Sequence, residues 1–286
     1  MTPKSEFLEA RGLRFRYLDW GGEGEPLVLL HGLASSSRIW DFVAPALAGR
    51  FRVVAIDQRG HGLSDSPDSD YTFEEVGSDL AVLLRALEFE RPALVGHSWG
   101  ASVALYHAAG HPENVQALVL VDGGMTDIAA SLSWEAAARL MTPPPIDGVD
   151  VDTFVGFARN WPHVRDTWSP QLQEMILSNF LIEDGKVYRR LPVENHMKVV
   201  RAIYDLQPAS LYPEIRCPVL LVPAISEPAN DRERVWQAYQ KQGAENALRL
   251  LPDARLNPMR DTGHDIPIQR PQELAAVIRS FLEGRA

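Results

Sequence analysis

The sequence lacks the apolar segments that membrane insertion and export require. No apolar run approaches the ~20 residues of a membrane-spanning helix. The first ten residues carry Lys4, Glu6 and Glu9 and have no apolar stretch of the signal-peptide kind. We therefore expect a cytoplasmic protein that does not act in a membrane.

Cysteine is almost absent as well. The single cysteine, Cys217, has no partner for an internal disulfide, which favours a reducing compartment. It directly precedes the apolar run Pro218–Val222, so we interpret it as a small buried side chain.

The chain also lacks an excess of positive charge. The chain has 28 Lys and Arg against 38 Asp and Glu, a formal net charge of −10. Binding of a phosphate backbone needs clustered cations, so we predict no nucleic-acid partner. The sequence leaves open whether the chain is a monomer or a homo-oligomer.

What the chain does contain is typical of a globular enzyme. Its 286 residues are 45% apolar and 23% charged, enough for one large core with an insertion. The runs that predict strands are Leu13–Asp19, Pro26–Leu30, Phe51–Ile56, Pro92–Val95 and Gln116–Val121. The stretches that predict helices are Ile39–Ala48, Phe73–Glu88 and Trp99–Ala109. This alternation predicts an α/β fold with a mostly parallel sheet covered by helices on both faces.

The alternation is interrupted in the middle of the chain. From Met125 to about Tyr212 we predict helices, and strand and helix alternation then resumes. The later elements are a strand at Pro218–Val222, a helix at Asp231–Leu251, a strand within Ala254–Arg260 and a helix from Pro271. We therefore predict one core, residues 1–124 and 213–286, with a helical cap of residues 125–212 inserted in it. Insertions at strand ends commonly form lids.

The sharpest chemical signal is Gly96-His97-Ser98-Trp99-Gly100. It follows a predicted strand and opens a predicted helix, a context that exposes a nucleophile on a tight turn. The N–H of Trp99, at the helix N-terminus, is placed to donate to a developing oxyanion. Ser98 is therefore the candidate nucleophile.

A serine nucleophile needs a base, and His264 is the candidate. It lies in a loop between the last predicted strand and the closing helix, at the sheet edge where α/β sites collect. The chain order of nucleophile, acid and base also selects it. Four other histidines are expected on the surface or in packing, namely His107, His111, His163 and His196.

The sequence leaves the acid open between three carboxylates. Glu227 is the first carboxylate after the strand Pro218–Val222 and is the preferred choice. Asp122 directly follows the strand Gln116–Val121 and is the alternative. Asp231 is a third choice, although we expect it to cap a helix.

Together these motifs resemble the α/β-hydrolase superfamily, in its serine-dependent form with an inserted cap. The shared motifs are His31-Gly32, Asp57-Gln58-Arg59-Gly60-His61-Gly62-Leu63-Ser64-Asp65, Gly96–Gly100 and Gly263-His264. The resemblance implies an oxyanion hole from the backbone N–H groups of Leu33 and Trp99. It also implies that Asp57–Asp65 is a site-shaping loop and that His31 is near enough to influence substrate.

The sequence departs from the family pattern at the acid, and its nucleophile limits the possible reactions. Relatives usually carry an aspartate where this chain has Glu227, which is why Asp122 stays open. Members that dehalogenate or open epoxides through an alkyl-enzyme ester use aspartate as the nucleophile, so Ser98 argues against both activities.

We predict that the enzyme acts on a small or medium ester or another activated carbonyl, without metal or cofactor. The chain has neither zinc-ligand spacing nor a dinucleotide fingerprint. Five cap aromatics are expected to be divided between a cap core and an apolar substrate pocket, namely Trp134, Phe154, Phe157, Trp161 and Trp168. Relatives of this architecture also include C–C bond hydrolases, lactonases, prolyl aminopeptidases and perhydrolases. A small-molecule receptor that uses the same scaffold is the alternative that is not an enzyme.

Overall fold

The computed structural model describes residues 2–162, 164–228 and 231–284, the side chains of residues 231–233 excepted. The prediction for His163 therefore lies outside the described residues, as does that for the side chain of Asp231.

The strands and helices follow each other along the chain with these bounds. The strands are β1 (Lys4–Ala10), β2 (Leu13–Gly21), β3 (Pro26–Leu30), β4 (Arg52–Ile56), β5 (Ala93–His97), β6 (Ala117–Val121), β7 (Val149–Asp150), β8 (Phe180–Glu183), β9 (Lys186–Arg189), β10 (Val219–Val222), β11 (Ala224–Ile225), β12 (Ala254–Leu256) and β13 (Met259–Arg260). The helices are α1 (Ala44–Leu47), α2 (Phe73–Ala86), α3 (Trp99–Gly110), α4 (Trp134–Met141), α5 (Val151–Ala158), α6 (Pro170–Ser178), α7 (Val193–Asp205), α8 (Pro208–Leu211), α9 (Asp231–Leu250), α10 (Ile266–Gln269) and α11 (Pro271–Glu283). Short 3-10 helices cover Ser37–Trp40, Pro112–Asn114, Arg165–Thr167 and Tyr212–Glu214.

The central sheet confirms the predicted fold class. Its eight strands lie in the order β1-β2-β4-β3-β5-β6-β10-β12. The pairings from β4 to β12 are parallel, and β1 and β2 form an antiparallel edge. The sequence analysis missed β1 because its side chains are almost all exposed and show no apolar alternation.

Both faces of the sheet are buried, as the apolar runs predicted. Successive strand residues point to opposite faces, so Leu94 joins the core under α2 and α3, and Val95 joins the core under α1 and α11. Neither side chain is exposed to solvent. The carboxyl ends of the parallel strands therefore form one rigid edge on which loops can carry functional groups.

The insertion after β6 is not wholly helical, and the sequence analysis was wrong on this point. It includes the antiparallel sheet β7-β9-β8 beside its helices. The connection between β8 and β9 is the two-residue turn Asp184–Gly185, with φ angles of 48° and 73°. Positive φ at both central positions is the geometry of a tight hairpin turn, so Asp-Gly was the available signal.

Two other predicted elements are divided in the structure, in both cases beside a proline. The stretch Ile39–Ala48 contains a 3-10 helix and the short α1, in which Pro45 occupies the first turn. The last strand is divided at Pro258, and β12 pairs with β10 whereas β13 pairs with β11. Within the described residues, no helix is both long and apolar enough to span a membrane.

A buried ion pair anchors the loop that follows β4 to helix α2. The guanidinium of Arg59 contacts both carboxylate oxygens of Asp79, and both side chains are 3% exposed. Arg59 also donates to the carbonyl of Asp70 over 2.8 Å. The pair fixes the Asp57–Asp65 loop against α2.

We predict that Asp79→Ala lowers the free energy of unfolding by about 3 kcal/mol, because it leaves a buried guanidinium without its main counterion. Urea unfolding followed by circular dichroism measures the change. Asp205→Ala is the control, since Asp205 pairs with Arg201 in an exposed ion pair, and we expect a loss of less than about 1 kcal/mol there. Equal losses in the two variants would contradict the anchoring role.

Candidate active site

Ser98 occupies the turn between β5 and α3. Its backbone has φ 55° and ψ −120°, which is an unfavourable region for any residue with a side chain. The N–H of Ser98 donates to the carbonyl of Val121 over 2.9 Å, which ties the turn to β6. A Cβ atom on Gly100 would lie 2.5 Å from the carbonyl oxygen of Leu30, so only glycine lets α3 start this close to the sheet.

His264 lies in the loop between β13 and α10 and faces Ser98. Its Nε2 atom is 2.8 Å from Ser98 Oγ. The ring of the buried His97 holds the loop, because its Nε2–H donates to the carbonyl of His264 over 2.8 Å. The structure therefore brings together the two residues that the sequence analysis selected as nucleophile and base.

Asp122 completes the hydrogen-bonded series. Its Oδ2 atom is 2.6 Å from His264 Nδ1, and its side chain is 2% exposed. The backbone N–H of Ala224 donates to Asp122 Oδ1 over 2.9 Å. Gln240 Nε2 on α9 lies 3.3 Å from Oδ2 and 3.4 Å from Oδ1 of the same carboxylate.

The structure places Asp122, and not the preferred acid Glu227, against the imidazole of His264. After β10 the chain forms β11, which carries Glu227 past the sheet edge to an exposed position. Asp122 instead ends β6, which pairs with β5 so that Val121 lies opposite His97. Ser98 and Asp122 are therefore at the same level on adjacent strands, and this register was the signal that could have selected Asp122.

The residue after Asp122 explains how two strand ends come so close. A Cβ atom on Gly123 would lie 2.1 Å from the carbonyl oxygen of Ser98. Glycine is therefore required for the end of β6 to pass under the turn that carries Ser98.

The electrostatics of the site act on the pKa of His264. Desolvation of the ring lowers that pKa, but the hydrogen bond and charge of Asp122 outweigh this effect, and the charge of Asp265 adds to them. The result is a pKa raised from 6.5 to about 9. Burial and the neighbouring His264 instead lower the pKa of His97 to about 4, so His97 is neutral and serves as a hydrogen-bond donor to the loop.

The backbone implied in an oxyanion hole passes close to the hydroxyl. A Cβ atom on Gly32 would lie 3.5 Å from Ser98 Oγ, so the chain enters Leu33 beside the nucleophile. Trp99 begins α3 directly after Ser98.

His31 is a scaffold residue and does not line the pocket at Ser98. It is fully buried, and its Nε2 accepts from the backbone N–H of Gln58 over 3.0 Å. Its Nδ1–H donates to the carbonyl of Gly32 over 2.7 Å. Burial lowers its pKa, which keeps it neutral. The expectation that His31 contacts substrate is not supported by these contacts.

A cavity of about 1110 Å³ opens onto Ser98, Asp122 and His264. Its walls are formed largely by apolar side chains from the segment between β6 and α4, and from α4, α7 and α9. They include Met125, Ile128, Leu132, Leu140, Met141, Ile203 and Trp236.

None of the five predicted cap aromatics lines this cavity. Phe154 and Trp161 line a second cavity, and Trp168 packs against the cap core. Trp134 packs edge-on against Tyr204, with ring centroids 5.4 Å apart. Phe157 is 64% exposed. The predicted role in the pocket at Ser98 is therefore wrong, because these rings pack in the cap core, lie on the cap surface or line the second cavity.

The residues that the sequence analysis missed lie mainly on α9. Trp236, Tyr239 and Gln240 recur at helical spacing and face the cavity. The spacing of these residues was the signal, since it puts them on one face of a helix otherwise rich in charged residues. Across the described residues, no group of three or more His, Cys, Asp or Glu side chains is arranged to hold a metal ion.

The chain is similar to several known hydrolases. A family model described as "Alpha/beta hydrolase family" matches residues 27–277. An uncharacterized protein of Mycobacterium tuberculosis is 38% identical over 158 residues, which are 52% of this chain and 46% of that protein. The match thus spans about half the length of that relative. N-formylmaleamate deformylase of Pseudomonas putida is 28% identical over 289 residues, 96% of this chain and 95% of the relative.

Solved structures agree with the architecture. The crystal structure of E-2-(acetamidomethylene)succinate hydrolase superposes with a TM-score of 0.80 at 22% identity, over 98% of this chain and 99% of that one. The sheet order and this structural similarity agree with the family match, which covers most of the chain. The chain therefore belongs to the alpha/beta hydrolase family of enzymes.

Proposed function

We propose that the protein is a serine hydrolase that cleaves a small or medium ester through an acyl-enzyme intermediate. The observation that carries the proposal is the continuous series of hydrogen bonds from Ser98 Oγ through His264 to Asp122, with lengths of 2.8 and 2.6 Å. A hydroxyl, an imidazole and a buried carboxylate in this order form the arrangement that activates a serine.

In the proposed mechanism, His264 Nε2 accepts the proton of Ser98 as Oγ attacks the ester carbonyl. Asp122 holds Nδ1–H and stabilises the imidazolium that forms. The imidazolium then protonates the departing alcohol, which leaves Ser98 acylated. Water, activated by His264, attacks the acyl-enzyme and releases the acid.

The oxyanion is proposed to accept hydrogen bonds from the backbone N–H groups of Leu33 and Trp99. The position of Gly32 beside Ser98 Oγ and the start of α3 at Trp99 support this assignment. Backbone donors fixed in a rigid turn need no reorganisation when charge develops on the carbonyl oxygen.

The size and lining of the Ser98 cavity support the substrate class. A volume of about 1110 Å³ accommodates an ester with a medium-sized group, and the apolar walls favour an uncharged part on the α9 side. Gln240 connects that wall to Asp122, so a ligand that displaces α9 would also disturb the acid.

A second candidate is hydrolysis of an amide or formamide carbonyl. The relative that matches nearly the whole chain is named N-formylmaleamate deformylase. The same nucleophile and base serve either carbonyl, and the difference lies in protonation of a nitrogen leaving group by His264. Turnover of N-formyl compounds in parallel with p-nitrophenyl esters separates the candidates.

We predict that wild-type protein reacts with a fluorescent fluorophosphonate and hydrolyses p-nitrophenyl butyrate. In Ser98→Ala, labelling disappears and kcat/KM falls by at least about 10³-fold, because the nucleophile is gone. Gel fluorescence and release of p-nitrophenol measure the two effects. Ser226→Ala is the matched control, as this serine also lines the cavity but lies outside the hydrogen-bonded series. Undiminished turnover in Ser98→Ala would refute the proposal.

The choice of acid gives a second prediction. Asp122→Asn lowers kcat by about 10³–10⁴-fold, because the amide no longer holds the imidazole in the required tautomer. Glu227→Gln changes kcat by less than about twofold, because the side chain of Glu227 is exposed and lies away from the imidazole. Steady-state kinetics on p-nitrophenyl butyrate compare the two variants. A larger loss in Glu227→Gln would restore Glu227 as the acid.

The raised pKa of His264 gives a third prediction. A general base must be neutral, so kcat/KM rises with pH through the pKa of His264 in the free enzyme. We expect that inflection above 6.5 in the wild type, towards about 9. In Asp122→Asn it moves at least about one pH unit lower, because the neighbouring negative charge is lost.

Asp265→Asn is the control for this measurement, because its charge is the smallest of the influences that raise the pKa of His264. We therefore expect a smaller downward displacement in that variant. Rates are read at the isosbestic wavelength of p-nitrophenol. An inflection that stays in place in Asp122→Asn would mean that another group titrates.

A further inference from the structure

A second cavity, of about 390 Å³, lies between the core and the cap. One wall is the chain that starts at Leu33. The opposite wall comes from the helices and the small sheet of the cap. Its apolar lining includes Ile39, Phe154, Met175, Ile176, Phe180 and Leu191.

The second cavity adjoins the Ser98 site at three points. Leu33 lines it and directly follows Gly32, which contacts Ser98. Asp265 lines it and directly follows His264. His196 lines it and contacts the carbonyl of Met141 over 2.9 Å, while Met141 lines the first cavity. Residues that line the second cavity are thus direct chain neighbours of Gly32 and of His264.

Arg190 puts a positive charge into this otherwise largely apolar space. Its side chain is half-buried, and its Nε donates to the carbonyl of Ser178 over 3.3 Å. No carboxylate in the described part of the chain forms an ion pair with Arg190. The adjacent Arg189 differs, because it pairs with Asp147 over 2.7 Å.

The charges that act on Arg190 are those of Asp57 and Arg16. Burial lowers the pKa of Arg190, the charge of Asp57 opposes that effect, and the charge of Arg16 reinforces it. The carboxylate of Asp57 is already engaged, since it pairs with Arg16 over 3.2 Å and accepts backbone N–H groups from Ser37 and Leu63. The Asp57 carboxylate is therefore occupied by other donors and forms no ion pair with Arg190.

Asp265, another charged residue of the second cavity, lies at the end next to His264, where its charge acts on His264 and His97. A carboxylate from a ligand is the group that would balance Arg190, and a guanidinium matches a carboxylate with paired hydrogen bonds.

We propose that Arg190 binds a carboxylate on the part of the substrate that extends past Leu33 into the second cavity. The substrate class is then an ester or related carbonyl compound with a free carboxylate several bonds from the scissile carbonyl. This inference deepens the proposed function and rests on it. The apolar walls contact the connecting chain, and Arg190 holds its charged end.

The test compares two esters that differ only in that charge. They are mono-p-nitrophenyl adipate, which carries a carboxylate, and its methyl ester, which is neutral. The quantity measured is the ratio of their kcat/KM values. We expect wild-type protein to prefer the anionic ester, and Arg190→Leu to lower the ratio by at least about tenfold, because a charge-assisted contact is lost.

Two further variants show whether the effect belongs to the charge at this position. Arg190→Lys keeps the charge without the planar fork, so the ratio is expected between those of the wild type and Arg190→Leu. Arg165→Leu removes a cap arginine that is 63% exposed and lies outside the second cavity, and it should keep the wild-type ratio. Circular dichroism checks that all variants are folded.

A ratio in Arg190→Leu within twofold of the wild-type ratio overturns the inference, as does a wild-type preference for the neutral ester. Either result leaves the proposed hydrolase function intact as long as fluorophosphonate labels Ser98. If labelling and turnover are both absent, the proposed function fails. The inference about Arg190 is then tested by measuring whether a carboxylate ligand binds. Ligand-observed NMR then follows monomethyl adipate with Ser98→Ala and with Ser98→Ala/Arg190→Leu. Binding lost only in the double variant supports the site, and equal binding overturns it.

Discussion

The backbone of Ser98 is held at φ 55° and ψ −120°, and much of the site depends on that constraint. A conformation of this kind costs about 1–3 kcal/mol and persists only where the surrounding structure enforces it. Here β5 ends and α3 begins within one residue, and the hydrogen bond from Ser98 to Val121 ties the turn to β6. The hydroxyl is consequently presented at the sheet edge, where His264 reaches it.

Asp122 contacts residues from several elements of the structure. It ends β6, accepts from the backbone at Ala224 and lies within reach of Gln240 on α9. These contacts fix the carboxylate that raises the pKa of His264. The same helix α9 forms a wall of the large cavity. The position of the Asp122 carboxylate and the shape of the cavity therefore both depend on α9.

Two cavities of different lining chemistry lie beside residues of the Ser98 site. The larger region is lined by the segment between β6 and α4 and by α4, α7 and α9, and it is mainly apolar. The smaller region combines apolar cap residues with the guanidinium of Arg190. An apolar group on one side and an anionic chain on the other would fit a substrate whose scissile carbonyl lies between the two regions.

Much of the fold was predictable because parallel strands that are buried on both faces are short, continuous apolar runs in the sequence. The bounds expected for β3, α2 and α3 agree with the structure to within two residues. Exposed or interrupted elements were harder to predict. The strand β1 has almost no buried residues, Pro258 divides the last strand, and the Asp184–Gly185 hairpin lies in a segment dominated by helical patterns.

The sequence by itself determined the α/β architecture, the turn that carries Ser98 and the selection of His264, because each depends on local patterns or chain order. Only the tertiary structure placed Asp122, and not Glu227, against His264, since that placement depends on which strand ends lie side by side. Only the tertiary structure likewise placed the cap aromatics in the cap core, on its surface or along the second cavity, and Arg190 in the lining of that cavity. Those positions follow from the packing of segments distant in sequence, and the local pattern around each residue carries no record of that packing.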